Sequence, residues 1–171
     1  MKAAQNFNIL YVLLVICQIV LCNYTPLGPY IMLSMLPAMV LCLPLKNSSI
    51  VSMLIAFASA LAVDWMSEGM LGLNVAALLP VALTRKTFIR IFLGEDLINR
   101  NEMFTFRKNG VGKITATILA VYAIYLGAYI FLDGAGTRPL WFNLSRFGAS
   151  LVTNWLLALL VTGILTPDER K

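Results

Sequence analysis

The chain has 171 residues, 60% of them hydrophobic and only 12% charged, with a mean hydropathy of +0.83. Soluble domains average about 45 to 50% apolar residues, so this composition excludes a soluble domain and indicates an integral membrane protein. A net charge of +5 comes with no histidine and no aromatic-interleaved basic patch, which removes the commonest general base and metal ligand and argues against nucleic acid as a partner.

The length suits a single bundle of about six spans of around 20 residues, with no separate soluble domain. Cys17, Cys22 and Cys42 fall in or beside apolar runs without metal-ligand spacing and read as small lipid-facing or core-facing hydrophobes. The start, residues 1–8, is short and polar. The apolar run at 9–22 then ends in Asn23-Tyr24-Thr25-Pro26 instead of a small-x-small cleavage site, so it is expected to be kept as the first helix. Pro26 and Gly28 mark a turn, and residues 29–45 form the expected second span, with Pro37 kinking it at mid-length and Pro44 near its end. A carbonyl freed by Pro37 in hydrocarbon needs a neighbour to satisfy it, which turns that residue toward the bundle.

Lys46-Asn47-Ser48-Ser49 is a tight polar turn in which Ser48 or Ser49 is placed to cap the third span, 50–66. On that span Ser52, Ala56, Ser59 and Ala60 recur at helical spacing and make a face of small residues, suited to close helix packing or to a groove for another helix. After a turn at 67–72 the fourth span, 72–93, carries Pro80 and then Arg85, Lys86 and Arg90, read as a basic face at the membrane surface. The connection at 94–113 mixes both charges with Leu97, Ile98, Met103, Phe104 and Phe106, and fits either an amphipathic segment on the membrane or a solvated loop. The fifth span, 114–132, holds Tyr122 and Tyr125 deep enough to need hydrogen-bond partners, with Tyr129 expected in an interfacial belt. Arg138 and Trp141 lie at headgroup depth in the next turn. The sixth span, 143–165, carries Arg146 early and Asn154 centrally, the latter a candidate for an interhelical hydrogen bond of about 0.6 to 2 kcal/mol.

With the N-terminus placed inside, Lys2, Lys46, Arg85, Lys86, Arg90, Arg100, Arg107, Lys108, Lys113, Arg170 and Lys171 fall on the inner side and only Arg138 and Arg146 on the outer, which accounts for all 13 basic residues. The excess of positive charge inside predicts both termini in the cytoplasm and the turn after the third span on the outer face.

That turn lies in residues 63–83, VDWMSEGMLGLNVAALLPVAL, where an acid, two glycines and an asparagine interrupt apolar sequence. An ionised Asp at the centre of a membrane helix costs roughly 2.5 to 3.5 kcal/mol, less near the interface, so Asp64 needs a partner, water or a shallow position. Near the outer interface such an acid is either solvated or paired with a basic neighbour, and Arg138 and Arg146, on the same predicted side, are the available partners. No GxSxG, HExxH, phosphate-binding glycine loop or close pair of intramembrane carboxylates appears, so no catalytic site, metal or cofactor is expected. Asp64 and Glu68 are too weak a pair to read as a proton relay, because Gly69 and Gly72 break the helix.

An acid closing the third helix, followed by D-x-x-S-x-x-x-x-G at Asp64, Ser67 and Gly72, resembles the MreD family of rod shape-determining membrane proteins, as does Arg138-Pro139 with Trp141 and Phe142 before the last helix. The resemblance implies a non-enzymatic scaffold of the bacterial inner membrane that binds MreC and supports the elongation machinery, including MreB and RodA. It also implies a fold similar to the substrate-binding subunits of energy-coupling-factor vitamin transporters. In that frame Asp64, Ser67, Gly72, Asn74, Arg138 and Pro139 form the rim of an outward cavity, and Ser52, Ala56, Ser59 and Ala60 receive a partner helix. The long basic connection at 94–113 departs from some relatives. A vitamin-binding transporter subunit is the alternative, disfavoured because residues 9–22 lack the small residues such subunits present to their transport partner.

Overall fold

The computed structural model describes residues 7–24, 28–68, 70–94, 110–134 and 138–165. Among them the structure is helical, without strands: α1 (Phe7–Tyr24), a short α2 (Leu36–Leu41), α3 (Ser49–Val63) continued by a π-helical turn (Asp64–Glu68), α4 (Leu73–Leu93), α5 (Val111–Gly134) and α6 (Leu140–Leu165). Four stretches are long and apolar enough to cross a membrane, namely α1, α3 with its π turn, α5 and α6. These make the chain a membrane protein. The α4 helix has 21 residues, about 31 Å of rise, but Arg85, Lys86 and Arg90 fall in its second half. The connection at 95–109, and with it the choice between amphipathic segment and solvated loop, lies outside the described residues.

The expected second span is corrected. Residues 31–35 are non-helical, and only Leu36–Leu41 form a helix, buried on all sides. Two prolines explain the short helix. A continuous helix would need an N–H at residue 37 for the carbonyl of Leu33, but Pro37 has none and its ring would clash there. Pro37 instead sits in the first turn of α2, where no N–H is required. Pro44 likewise offers no N–H to Val40, whose carbonyl accepts from Leu43 N at 3.3 Å as the chain turns away.

Elsewhere the local signals hold. Ser48 Oγ accepts from Val51 N at 3.3 Å and caps α3. Gly72, just before α4, takes a left-handed φ of 98°, which glycine adopts without a Cβ penalty. α4 packs along both α3 and α5, and α5 along α6. The core runs through Leu36, Met39, Leu78, Ile89, Ile118, Tyr122 and Leu126, all shielded from the surface. Tyr129 is part of this interior, not of an interfacial belt, because its helix face points toward the core.

The face formed by Ser52, Ala56, Ser59 and Ala60 is buried within the chain. Arg85 of α4 reaches Ser52 Oγ, and Tyr11 of α1 donates to Ser59 Oγ at 3.4 Å. The small residues let neighbouring helices of the same chain approach. The expected groove for a partner helix is thus occupied, while α1 and α6 expose larger apolar residues such as Ile9, Leu13, Ile16, Leu156 and Leu160.

Candidate functional site

Two buried charges and a chain of polar side chains occupy the centre of the bundle. Asp64, 0% exposed, follows directly on α3 and turns its carboxylate to the start of α4. Its Oδ2 accepts from Gly72 N at 2.9 Å and Val75 N at 3.3 Å. Its Oδ1 accepts from Asn74 N at 3.1 Å and Asn74 Nδ2 at 2.8 Å. The first N–H groups of a helix have no partner in the helix itself, and the aligned peptide dipoles there favour an anion. Asp64 therefore caps α4 from a neighbouring helix, a role that Gly72 has no side chain to perform. Ser67 closes the π turn by donating to Val63 O at 2.5 Å.

Asp64 is thus neither solvated nor paired with an arginine, the two expected alternatives. Arg138 and Arg146 are paired with Asp133 instead, and Pro139 stands immediately before α6, its carbonyl accepting from Phe142 N at 3.0 Å. Asp64, Ser67, Gly72 and Asn74 thus form one unit, and Arg138 and Pro139 belong to another at the α5–α6 turn.

From Asn74 the polar chain continues inward. Tyr125 donates to Asn74 Oδ1 and accepts from Ser34 Oγ at 3.0 Å. Ser34 lies in the non-helical segment, where every hydrogen bond must come from outside the local chain. Its N–H donates to Asn154 Oδ1 at 2.7 Å, and its carbonyl accepts from Tyr122 at 2.8 Å. Asn154 Nδ2 donates to Met32 O at 2.6 Å, and Met32 N donates to Ser150 Oγ at 3.0 Å. From α1, Gln18 Oε1 accepts from Met35 N at 2.7 Å while its Nε2 donates to Leu33 O at 3.1 Å. Irregular backbone is tolerated at membrane depth only where protein groups satisfy it. Gln18, Tyr122, Ser150 and Asn154 supply those groups from three helices.

Just past the middle of α4, Arg85 is 1% exposed and points into the bundle, so it leaves the predicted basic face, where Lys86 and Arg90 remain. Its Nε donates to Leu41 O at 3.2 Å, its Nη1 to Ser52 Oγ at 3.3 Å and its Nη2 to Leu43 O. A cation is thereby placed on carbonyls at the end of α2, the favourable end of that helix for positive charge.

Compared with known proteins, the chain matches no family model, no curated protein and no solved structure.

Sequence reasoning found Asp64, Gly72, Asn74 and Asn154, and required partners for the two tyrosines. It passed over Gln18, Ser34 and Ser150. A signal for them was present, since each is a polar residue inside a run of apolar ones, where hydrogen-bonding capacity has to be met by protein. Among the described residues no three His, Cys, Asp or Glu side chains gather to hold a metal ion. With four donors on its carboxylate, Asp64 is arranged to hold two helices in register, and the connected side chains are arranged to hold an interrupted segment in place.

Proposed function

We propose that this chain is a non-enzymatic scaffold of the bacterial inner membrane, of the MreD kind, that binds MreC and supports the cell-elongation machinery. The observation that carries the reading is the behaviour of the D-x-x-S-x-x-x-x-G turn as a single structural unit, with Asp64 capping α4, Ser67 closing the π turn and Gly72 in the left-handed conformation. These residues fix the geometry of a helical hairpin, a task that suits a scaffold and asks for no substrate. In this reading the chain crosses the membrane six times, with α4 and the interrupted segment at 28–47 adding to the four long apolar stretches. The excess of basic residues on one side supports a topology with both termini in the cytoplasm and the Asp64 turn outside. The partner helix then meets the exposed apolar side of α1 or α6, since the small-residue face of α3 is used internally.

The test is co-purification, after mild detergent extraction, of the tagged full-length chain with a one-span, coiled-coil protein of the MreC kind. Stable co-elution is expected. Co-elution with transporter ATPases in its place would transfer the chain to the vitamin-transporter class.

A further inference from the structure

The turn between α5 and α6 gathers charged side chains that the polar core does not use. Asp133 Oδ2 accepts from Arg138 Nη1 at 2.9 Å and also from Arg146 Nη1, so a single carboxylate oxygen serves two guanidinium groups and the cluster keeps a net positive charge. Each guanidinium contacts Asp133 through one nitrogen, although its planar fork is shaped to grip two oxygens at once. Arg146 Nε is buried with no hydrogen-bond partner, and one helical turn earlier Asn143 Oδ1 is buried in the same condition. An unmet donor and an unmet acceptor are both costly to bury. The Arg138 guanidinium lies 5.6 Å from the centre of the Phe142 ring and its side chain is 39% exposed, which leaves it open to a ligand at the surface. Beside it, at the end of an apolar helix, Trp141 is 82% exposed, as expected of a ring lying among headgroups.

We propose that this cluster binds the phosphate of an anionic phospholipid headgroup. The phosphate oxygens take N–H groups of the part-exposed Arg138, while Arg146 behind it adds its charge and the phosphate neutralises the residual positive charge. Trp141 lies against the glycerol and the upper acyl chain. A free phosphate would meet the charge but would leave Trp141 uncovered, which favours the lipid. The inference needs only that the chain sits in a bilayer and is independent of the scaffold reading.

The test is retention of phosphatidylglycerol against phosphatidylcholine by the full-length chain in native mass spectrometry, with helix content followed by circular dichroism. Wild type is expected to retain phosphatidylglycerol preferentially. Arg138→Gln should lower that retention roughly ten-fold, as the loss of a charge-assisted hydrogen bond implies. Asp133→Asn should raise it, because both guanidinium groups are then released to the lipid. Trp141→Ala, at an exposed position that leaves the fold intact, should lower retention of the lipid and decides the matter if Arg138→Gln fails to fold. Equal retention of the two lipids, or unchanged retention in Trp141→Ala, overturns the proposal. So does displacement of the lipid by millimolar inorganic phosphate, which would assign the site to the free ion.

Discussion

Asp64 sits at the start of α4 and Arg85 past its middle; they carry opposite charges, both are buried, and among the described residues neither makes an ion pair. Each is matched instead to the end of a helix, Asp64 to the N–H groups that open α4 and Arg85 to the carbonyls that close α2. The difference between them is reach. All of Asp64's partners lie 8 to 11 residues onward in the chain, within one turn of one helix. Those of Arg85 lie 33 to 44 residues back, spread over α3 and the α2 region. A carboxylate suits the first task because a helix N-terminus presents several donors at one point. A guanidinium suits the second because its donors diverge in a plane and can meet acceptors on separate elements. Asp64 thus locks a hairpin, and Arg85 ties that hairpin to the rest of the bundle.

The strongest way to break this comparison is Asp64→Ala, which leaves buried N–H groups of Gly72, Asn74 and Val75 without an acceptor. A loss of about 3 kcal/mol or more is expected, read from unfolding in mixed micelles, and Asp64→Asn should fall between the two because its amide still offers one acceptor. Were Asp64→Ala to unfold like wild type, capping of α4 would not be what holds the hairpin. Next in size is Arg85→Met, which keeps the volume but strips Leu41 O and Leu43 O of their donor, at about 2 kcal/mol. Arg85→Lys should recover only part of that, since an ammonium lacks the planar fork. Full recovery by lysine would mean that charge alone matters at this end. The smallest expected effect is that of Tyr125→Phe, which cuts the link from Asn74 to Ser34 without disturbing either charge. It should cost about 1 kcal/mol and leave the Asp64 cap intact, which can be checked from the hydrogen-exchange protection of the Asn74 and Val75 amides.

The long helices were legible because apolar runs of sufficient length, a serine cap and a glycine stop are properties of neighbouring residues. α6 begins at Leu140, directly after Pro139, only slightly ahead of the expected 143. Partners were harder to read. The count of basic residues assigns each to a side of the membrane but says nothing about lateral position, so Arg138 and Arg146 seemed available to Asp64 when Asp133 was closer to them. Arg85 looked like a surface cation because it stands next to Lys86, yet adjacent residues on a helix point about 100° apart, and this turn brings one inward. Pro37 was correctly recognised as a perturbation and wrongly as a kink. Whether a helix bends through a proline or starts afresh at it depends on who takes the carbonyl four residues earlier, and here the taker is Gln18, on a different helix.

The interrupted segment also bears on how the chain assembles. The side chains that hold Met32 and Ser34 are Tyr122, Ser150 and Asn154, between 88 and 122 residues downstream. Segments of a polytopic chain emerge from the ribosome in sequence, and closing so long a loop precedes any reward from the contacts it makes. Gln18 of α1 is made first and is there to hold Leu33 and Met35, but the fastenings of Met32 and Ser34 are made long after the second segment itself. It becomes the last seam to be sewn, closed only when α5 and α6 arrive, and any partner that reads the finished shape of the bundle would in effect be reading the completion of synthesis.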